Sequence, residues 1–270
     1  MNTLVLGYGR SGKAAEALLK AQGAEAVVLA DDGQDGPGEG NFDIAVVSPG
    51  IALTHPWVVE AKRRGIPLKS ELQLGCEELK RQGWKLLAVT GSKGKSSVVK
   101  VVADAINLAG MKAVACGNYG VPVSEVAERR EEGRGKREEK WAVVEVSSFM
   151  METTELPSDT FEAATILNLQ EDHLDRHGGV AVYHGLKRKL LTMAKKGFGP
   201  VVTGMSPQLW SGSYFDNEIL AENAAIAVEL MRVAGLDDAK IAAAFKAFAP
   251  LPHRMNLVAE IDAVRFFDDS

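Results

Sequence analysis

Short apolar runs alternate along the chain with segments whose apolar residues recur every three to four positions. The runs predict strands over residues 3–6, 26–30 and 44–47, with a helix over 13–22 between the first two. A charged helical pattern over 70–82 precedes new strand-like runs at 85–89, 113–115, 141–146 and 163–167, with a helix starting at Val98. After Lys187 the pattern reads as helical, most clearly over 221–234 and 239–248. Strand, helix, strand in regular alternation predicts parallel sheets covered by helices. The polar Arg81-Gln82-Gly83 breaks the pattern once, so the expectation is two α/β units, residues 1–83 and 84–270.

Each unit opens on a glycine turn between its first strand and first helix. In the first, Gly7, Gly9 and Gly12 stand as G-x-G-x-x-G, and Asp31 and Asp32 end the next strand-like run. Glycines let a diphosphate approach the backbone, helix N-terminal amides face it, and an acid meets a ribose. This makes the first unit Rossmann-like. Eighty-odd residues are fewer than a complete dinucleotide domain takes, so NAD and a UDP-type diphosphate both stay open from this motif.

The second turn is richer in chemistry. Residues 86–90 lead into Gly91, Ser92, Lys93, Gly94, Lys95, Ser96 and Ser97. A glycine loop opening a helix with Gly-Lys-Ser is a phosphate cradle: amides hold the phosphates, Lys95 neutralises the outer ones and Ser96 can ligate Mg²⁺. Val89 stands where the strict eight-residue pattern has its first glycine. Such a loop needs a carboxylate at the end of a neighbouring strand, and Glu145 is placed to supply it. The run NLQEDHLDRH, residues 168–177, collects ionisable groups at another strand end, with His173 among them.

Composition narrows the class. Hydrophobic residues at 46% and charged residues at 25% are those of a globular chain with a full core. A formal net charge of -5 speaks against a broad basic surface, so no nucleic-acid partner is expected. The two cysteines, Cys76 and Cys116, have no metal-ligand spacing and read as buried thiols. No apolar run reaches the roughly 20 residues of a membrane helix, and the N-terminus lacks a signal-peptide pattern, so no membrane insertion and a cytoplasmic location are expected.

Taken together, TGSKGKSS, CGNYG, EVSSFMMETT, NLQEDHLDRHG with Tyr183-x-x-x-Lys187, and LPHR resemble the Mur ligases. The Ser48-Pro49-Gly50-Ile51 turn, Thr54-His55-Pro56 and the terminal Asp268-Asp269-Ser270 resemble the D-glutamate-adding members in particular. The resemblance implies peptidoglycan precursor synthesis. ATP phosphorylates a carboxylate on a UDP-linked muramyl precursor, and the amine of D-glutamate displaces the phosphate. It implies Lys95 and Ser96 on the ATP phosphates, and Ser96 and Glu145 on a first Mg²⁺. His173 would hold a second Mg²⁺ together with Lys187, which family members carbamylate. Asn118 and Ser147 would lie near phosphates and substrate, Asn223 near adenine, and His253, Arg254 and Asp269 near the rest of the nucleotide. The first unit would bind UDP through Gly7, Gly9, Arg10, Ser11 and Gly12, with Ser48, Pro49 and Gly50 beside it. A monomer is expected.

Departures from the family pattern bear on activity. Lys93 replaces an asparagine, Met150 a glutamine, and Ile219-Leu220 a His-Asn pair. The stretch between Lys187 and Asn223 is short, which suggests lost edge strands. The chain ends at Ser270 within a family motif, so the third domain of the family is expected to be absent and ligation weak. Two other readings stay open: a catalytically dead nucleotide or precursor binder, and an NAD-dependent oxidoreductase.

Overall fold

The structure, a computed structural model, describes residues 1–29, 36, 38, 40–129, 139–200, 206–252, 256–262 and 264–268. Asp31, Asp32, His253, Arg254 and Asp269 lie outside the described residues, as do residues 130–138.

Two parallel sheets organise the chain. The first holds β1 (Asn2–Leu6), β2 (Glu25–Leu29), β3 (Ile44–Val47) and β4 (Leu68–Ser70) in the order β2-β1-β3-β4. The second holds β5 (Lys85–Thr90), β6 (Lys112–Gly117), β7 (Lys140–Glu145), β8 (Ala163–Ile166) and β9 (Gly197–Phe198) in the order β6-β7-β5-β8-β9. The central strands are apolar over most of their length because helices cover both of their faces, whereas edge strand β2 leaves Val27 exposed. Alternate residues go to opposite sides. Leu4 and Leu6 pack against Trp57, Val58 and Ala61 of α2 (Pro56–Arg63), while Val5 and Val46 face the other way. Leu87 and Val89 face α4 (Lys95–Leu108), α9 (Ala221–Val233) and α10 (Asp238–Ala247), and Leu86 and Ala88 face the opposite side.

That opposite side is shared. Val5 and Val46 of the first sheet and Leu86, Ala88, Ala142 and Val144 of the second belong to one buried cluster. The cluster includes Leu18 and Leu19 of α1 (Arg10–Ala21), Leu72 and Leu79 of α3 (Glu71–Arg81), and Val123 and Val126 of α5 (Val123–Glu128). Helices of both units thus fill one core between the sheets, and the chain passes from one sheet to the other just after α3. The two cysteines are free and buried in it, as the sequence implied.

Several elements begin elsewhere than the pattern suggests. Helix α1 starts at Arg10 and not at residue 13, because Gly9 is its N-cap and the glycine turn itself forms the first helical turn. Helix α4 starts at Lys95 rather than Val98 for the same reason. The region around Lys187 is one helix, α8 (Val180–Leu191), preceded by two four-residue helices, α6 (Ser148–Met151) and α7 (Leu174–His177). The remainder of the chain, beyond α8, is not wholly helical, since β10 (Asn256–Ile261) and β11 (Val264–Asp268) form an antiparallel pair. No helix among the described residues is long and apolar enough to cross a membrane.

Candidate active site

The strand order places the second glycine turn. β7 lies between β6 and β5, with Glu145 in register with both Val89 and Gly117 at the carboxyl ends of those strands. Gly94 caps α4 in the left-handed region at φ +83, and a Cβ there would sit 2.3 Å from Nδ2 of Asn223. The left-handed backbone favours glycine here, and any larger residue would also push the Asn223 side chain aside. The first turn of α4 contains no acidic residue to compete for its amides.

Ser96 and Glu145 meet as expected. The Ser96 hydroxyl donates to Oε2 of Glu145 at 2.8 Å, and Asn118 Nδ2 donates to Oε1 at 2.8 Å. Glu145 is 2% exposed, held by these two side chains at the mouth of the loop. Lys95 is folded back, its Nζ donating to the carbonyls of Gly91 at 2.9 Å and Ser92 at 3.0 Å. Lys187 reaches the same Gly91 carbonyl from α8 at 2.8 Å. Burial of Lys187, reinforced by the Lys95 charge, pushes its ammonium down to about 8. Both effects disfavour a cation there.

A residue that the motifs mark only as one of a cluster proves central. Oδ1 of Asn168 accepts from the amides of Ser92 at 3.0 Å and Lys93 at 2.9 Å, while Nδ2 donates to the Lys93 carbonyl at 3.0 Å. Tyr183 approaches Ser92 Oγ at 3.0 Å through its hydroxyl. An asparagine directly after a strand beside a glycine loop was the available signal. The Lys93 side chain is exposed, and Ser97 is buried inside α4.

His173 lies at the rim. Its side chain is 47% exposed, its backbone is left-handed at φ +50, and its ring lies tilted against Phe149 with centroids 4.8 Å apart. Ser147 caps α6 by accepting from the Met150 amide at 3.3 Å. Among the described residues no three His, Cys, Asp or Glu side chains gather to hold a metal. The expected donor set instead draws on a hydroxyl and a modified lysine, which are groups of other types.

The first glycine turn lines a cavity of about 440 Å³. Gly7, Gly9, Arg10, Ser11, Ser48, Pro49 and Gly50 form one wall, and Asn118, Pro122 and Met150 form the other. Gly12 stands behind it, where an added Cβ would lie 2.0 Å from the Gly7 carbonyl oxygen. The Ser48 hydroxyl donates to that same oxygen at 2.9 Å. Arg10 is turned to the opposite wall, donating to the Gly120 carbonyl at 2.8 Å. Met150 makes part of this wall apolar where the family pattern has an amide.

The chain is similar to known proteins. Residues 89–209 match the Mur ligase middle domain. The UDP-N-acetylmuramoylalanine--D-glutamate ligase of Chromobacterium violaceum is 33% identical over 325 residues, covering 98% of this chain and 71% of that protein. The ligase of the same name from Synechococcus sp. strain JA-3-3Ab is 29% identical over 340 residues, covering 100% and 71%. Among solved structures, the UDP-N-acetylmuramate-alanine ligase of Thermotoga maritima aligns at TM-score 0.55 and 18% identity, over 100% of this chain and 74% of that one. The UDP-N-acetylmuramate:L-alanyl-gamma-D-glutamyl-meso-diaminopimelate ligase of Neisseria meningitides aligns at TM-score 0.60 and 14% identity, over 93% and 98%. The structural likeness speaks for the shared fold, and the sequence likeness over the whole described site speaks for descent. The chain belongs to the Mur ligase family.

Proposed function

We propose that this chain acts in peptidoglycan precursor synthesis as an ATP-dependent ligase that joins D-glutamate to UDP-N-acetylmuramoylalanine. Residues 1–83 hold the UDP end of the precursor and residues 84–270 hold ATP. The observation that carries this reading is the position of Asn118. Its side chain lines the cavity of the first glycine turn and donates to Glu145, which accepts from Ser96 of the second. One end of the cavity therefore abuts the phosphate loop, as transfer of a phosphoryl group to a bound carboxylate requires.

The residues present fit a magnesium nucleotide. Gly94 leaves the α4 amides open, and the Ser96 hydroxyl with the Glu145 carboxylate makes a hard oxygen pair. Bound there, Mg²⁺ would neutralise charge developing between the outer phosphates. Lys95 would exchange its two loop carbonyls for phosphate oxygens. Lys187, neutral in appreciable fraction near pH 8, is suited to attack CO₂: the N–C bond forms, the amine proton leaves to solvent, and a cation becomes an anionic metal ligand. His173 would supply a nitrogen donor at the rim.

Calorimetric titration of Mg-ATP tests the reading. Saturable binding is expected, and Lys95→Ala should abolish it while leaving UDP-precursor binding intact. A folded wild-type chain that takes neither ligand would refute the proposal.

A further inference from the structure

Outside the phosphate loop, one partly buried ionic group joins the two units and has no part in the chemistry above. Arg176 on α7 makes a two-pronged contact with Glu152, Nε to Oε1 at 3.1 Å and Nη2 to Oε2 at 2.7 Å. The same Nη2 donates to the carbonyls of Ile51 at 2.8 Å and Pro49 at 3.2 Å, more than a hundred residues away in sequence. The guanidinium lies over the Phe149 ring at 4.8 Å. Glu152 is 8% exposed and is fixed from its other side by His177, whose Nδ1 lies 3.3 Å from Oε1. Burial lowers the His177 pKa against the pull of the Glu152 charge, and Nε2 lies 3.0 Å from the Ser148 hydroxyl oxygen.

Ser148, His177 and Glu152 stand in the order of a nucleophile, base and acid, yet they do not form a hydrolytic site. Ser148 is 3% exposed and lines neither this cavity nor the one beside it, and Glu152 already shares its charge with Arg176. The chain of contacts runs instead toward the Ser48–Ile51 turn, and Arg176 is the link that crosses.

That turn shapes the precursor cavity. Ser48 and Pro49 line it, Ser48 holds the Gly7 carbonyl, and the Ile51 side chain packs on Gly7. Arg176 itself lies outside this cavity, in an adjoining one of about 460 Å³ beside Ala52 and Leu53. His173, three residues earlier, stands at the rim of the phosphate site. One short helix therefore carries a group for each half of the site. We infer that Arg176, oriented by Glu152, is a positioning residue that fixes the Ser48–Ile51 turn and so sets the precursor cavity in register with the phosphate loop. The inference rests on reading that cavity as the precursor site.

The test titrates UDP-N-acetylmuramoylalanine and Mg-ATP separately into wild type, Arg176→Met, Arg176→Lys and Glu152→Gln, and follows amide exchange over residues 48–55. Arg176→Met should weaken precursor binding by about tenfold or more, with Mg-ATP binding within about twofold of wild type. Lysine should restore part of the loss, since it can reach a carbonyl but not the forked carboxylate contact. Glu152→Gln should fall between. Exchange at the Ile51 and His55 amides should quicken in Arg176→Met while exchange at the phosphate loop stays unchanged. Wild-type precursor binding and exchange in Arg176→Met would overturn the inference, and so would a parallel loss of both ligands. If wild type takes no precursor, the proposed function fails. The exchange difference then still decides whether Arg176 holds the turn.

Discussion

The two glycine turns are built alike and equipped differently. Each follows the first strand of its sheet and opens a helix whose first turn contains no acid, with Gly9 capping α1 and Gly94 capping α4. Around the first, the cation that lines the cavity, Arg10, is held by the Gly120 carbonyl, and the wall opposite is Asn118, Pro122 and Met150. Around the second, Lys95 and Lys187 converge on one carbonyl, Glu145 closes the mouth, and Asn168 pins the loop from outside. The first turn offers shape, backbone amides and a few polar side chains, Arg10, Ser11 and Ser48 among them. The second concentrates charge where charge must move. Fold alone supplies the cradle, and side chains decide whether it holds a group or activates one.

The sharpest break in this comparison is steric. In the first turn an added methyl at Gly12 would meet the Gly7 carbonyl at 2.0 Å, a backbone atom with no room to retreat. At Gly94 the nearest atom belongs to the Asn223 side chain, which can swing, although the left-handed backbone there still penalises a substitution. Gly12→Ala should therefore cost about 3 kcal/mol of stability and abolish UDP-precursor binding. Gly94→Ala should cost about 1–2 kcal/mol and affect Mg-ATP alone. Chemical denaturation with both titrations separates the two, and equal losses would show that the turns are not independently built.

A milder break loosens the second turn without touching its charges. Asn168→Ala removes three hydrogen bonds to Ser92 and Lys93. The Lys93 amide then turns to solvent while the Ser92 amide keeps the Asn168 backbone carbonyl at 3.1 Å, so the expected loss is about 1–2 kcal/mol in stability, with Mg-ATP binding about tenfold weaker. Asn168→Asp keeps the acceptor, restores most of the stability, and places a negative charge beside the phosphates. It should bind nucleotide no better than Asn168→Ala. If Asn168→Asp binds like wild type, the loop does not depend on this clamp.

The difference between the turns also marks how far the sequence can be read. Strand positions, both glycine turns and the Ser96–Glu145 pair are legible because they depend on local period and on spacing from a strand end. The Gly7–Gly12 turn and the Ser48–Gly50 turn come together along one wall of the cavity. Helix starts fall earlier than the apolar period suggests, because glycines that read as loop begin the helix. Strand β9, two residues long, and the β10–β11 pair carry no strong alternation, so a helical pattern overruns them. The Arg176 contacts join residues separated by 24 and by more than 120 positions, and no local pattern can announce such a pairing. Burial of Lys187 at 2% exposure is equally invisible, since α8 is exposed on the faces either side of it.

That burial gives the smallest and most specific prediction. The Lys187 pKa falls from 10.5 to about 8 through burial and then the Lys95 charge, while Asp172 and Glu145 oppose the fall only in part. Between about pH 8 and 10.5 the unfolded chain holds a proton on this amine that the folded chain has released. Stability from this group therefore rises with pH across that window, and below it the penalty is complete. The whole effect is on the order of 2 kcal/mol after allowance for the hydrogen bond to Gly91. Lys187→Met should remove the slope, so its denaturation midpoint gains on wild type at pH 7 and loses that advantage near pH 10. Parallel pH profiles for wild type and Lys187→Met would mean that the amine is fully charged in the fold. The second turn would then lack the neutral nucleophile that carbamylation needs.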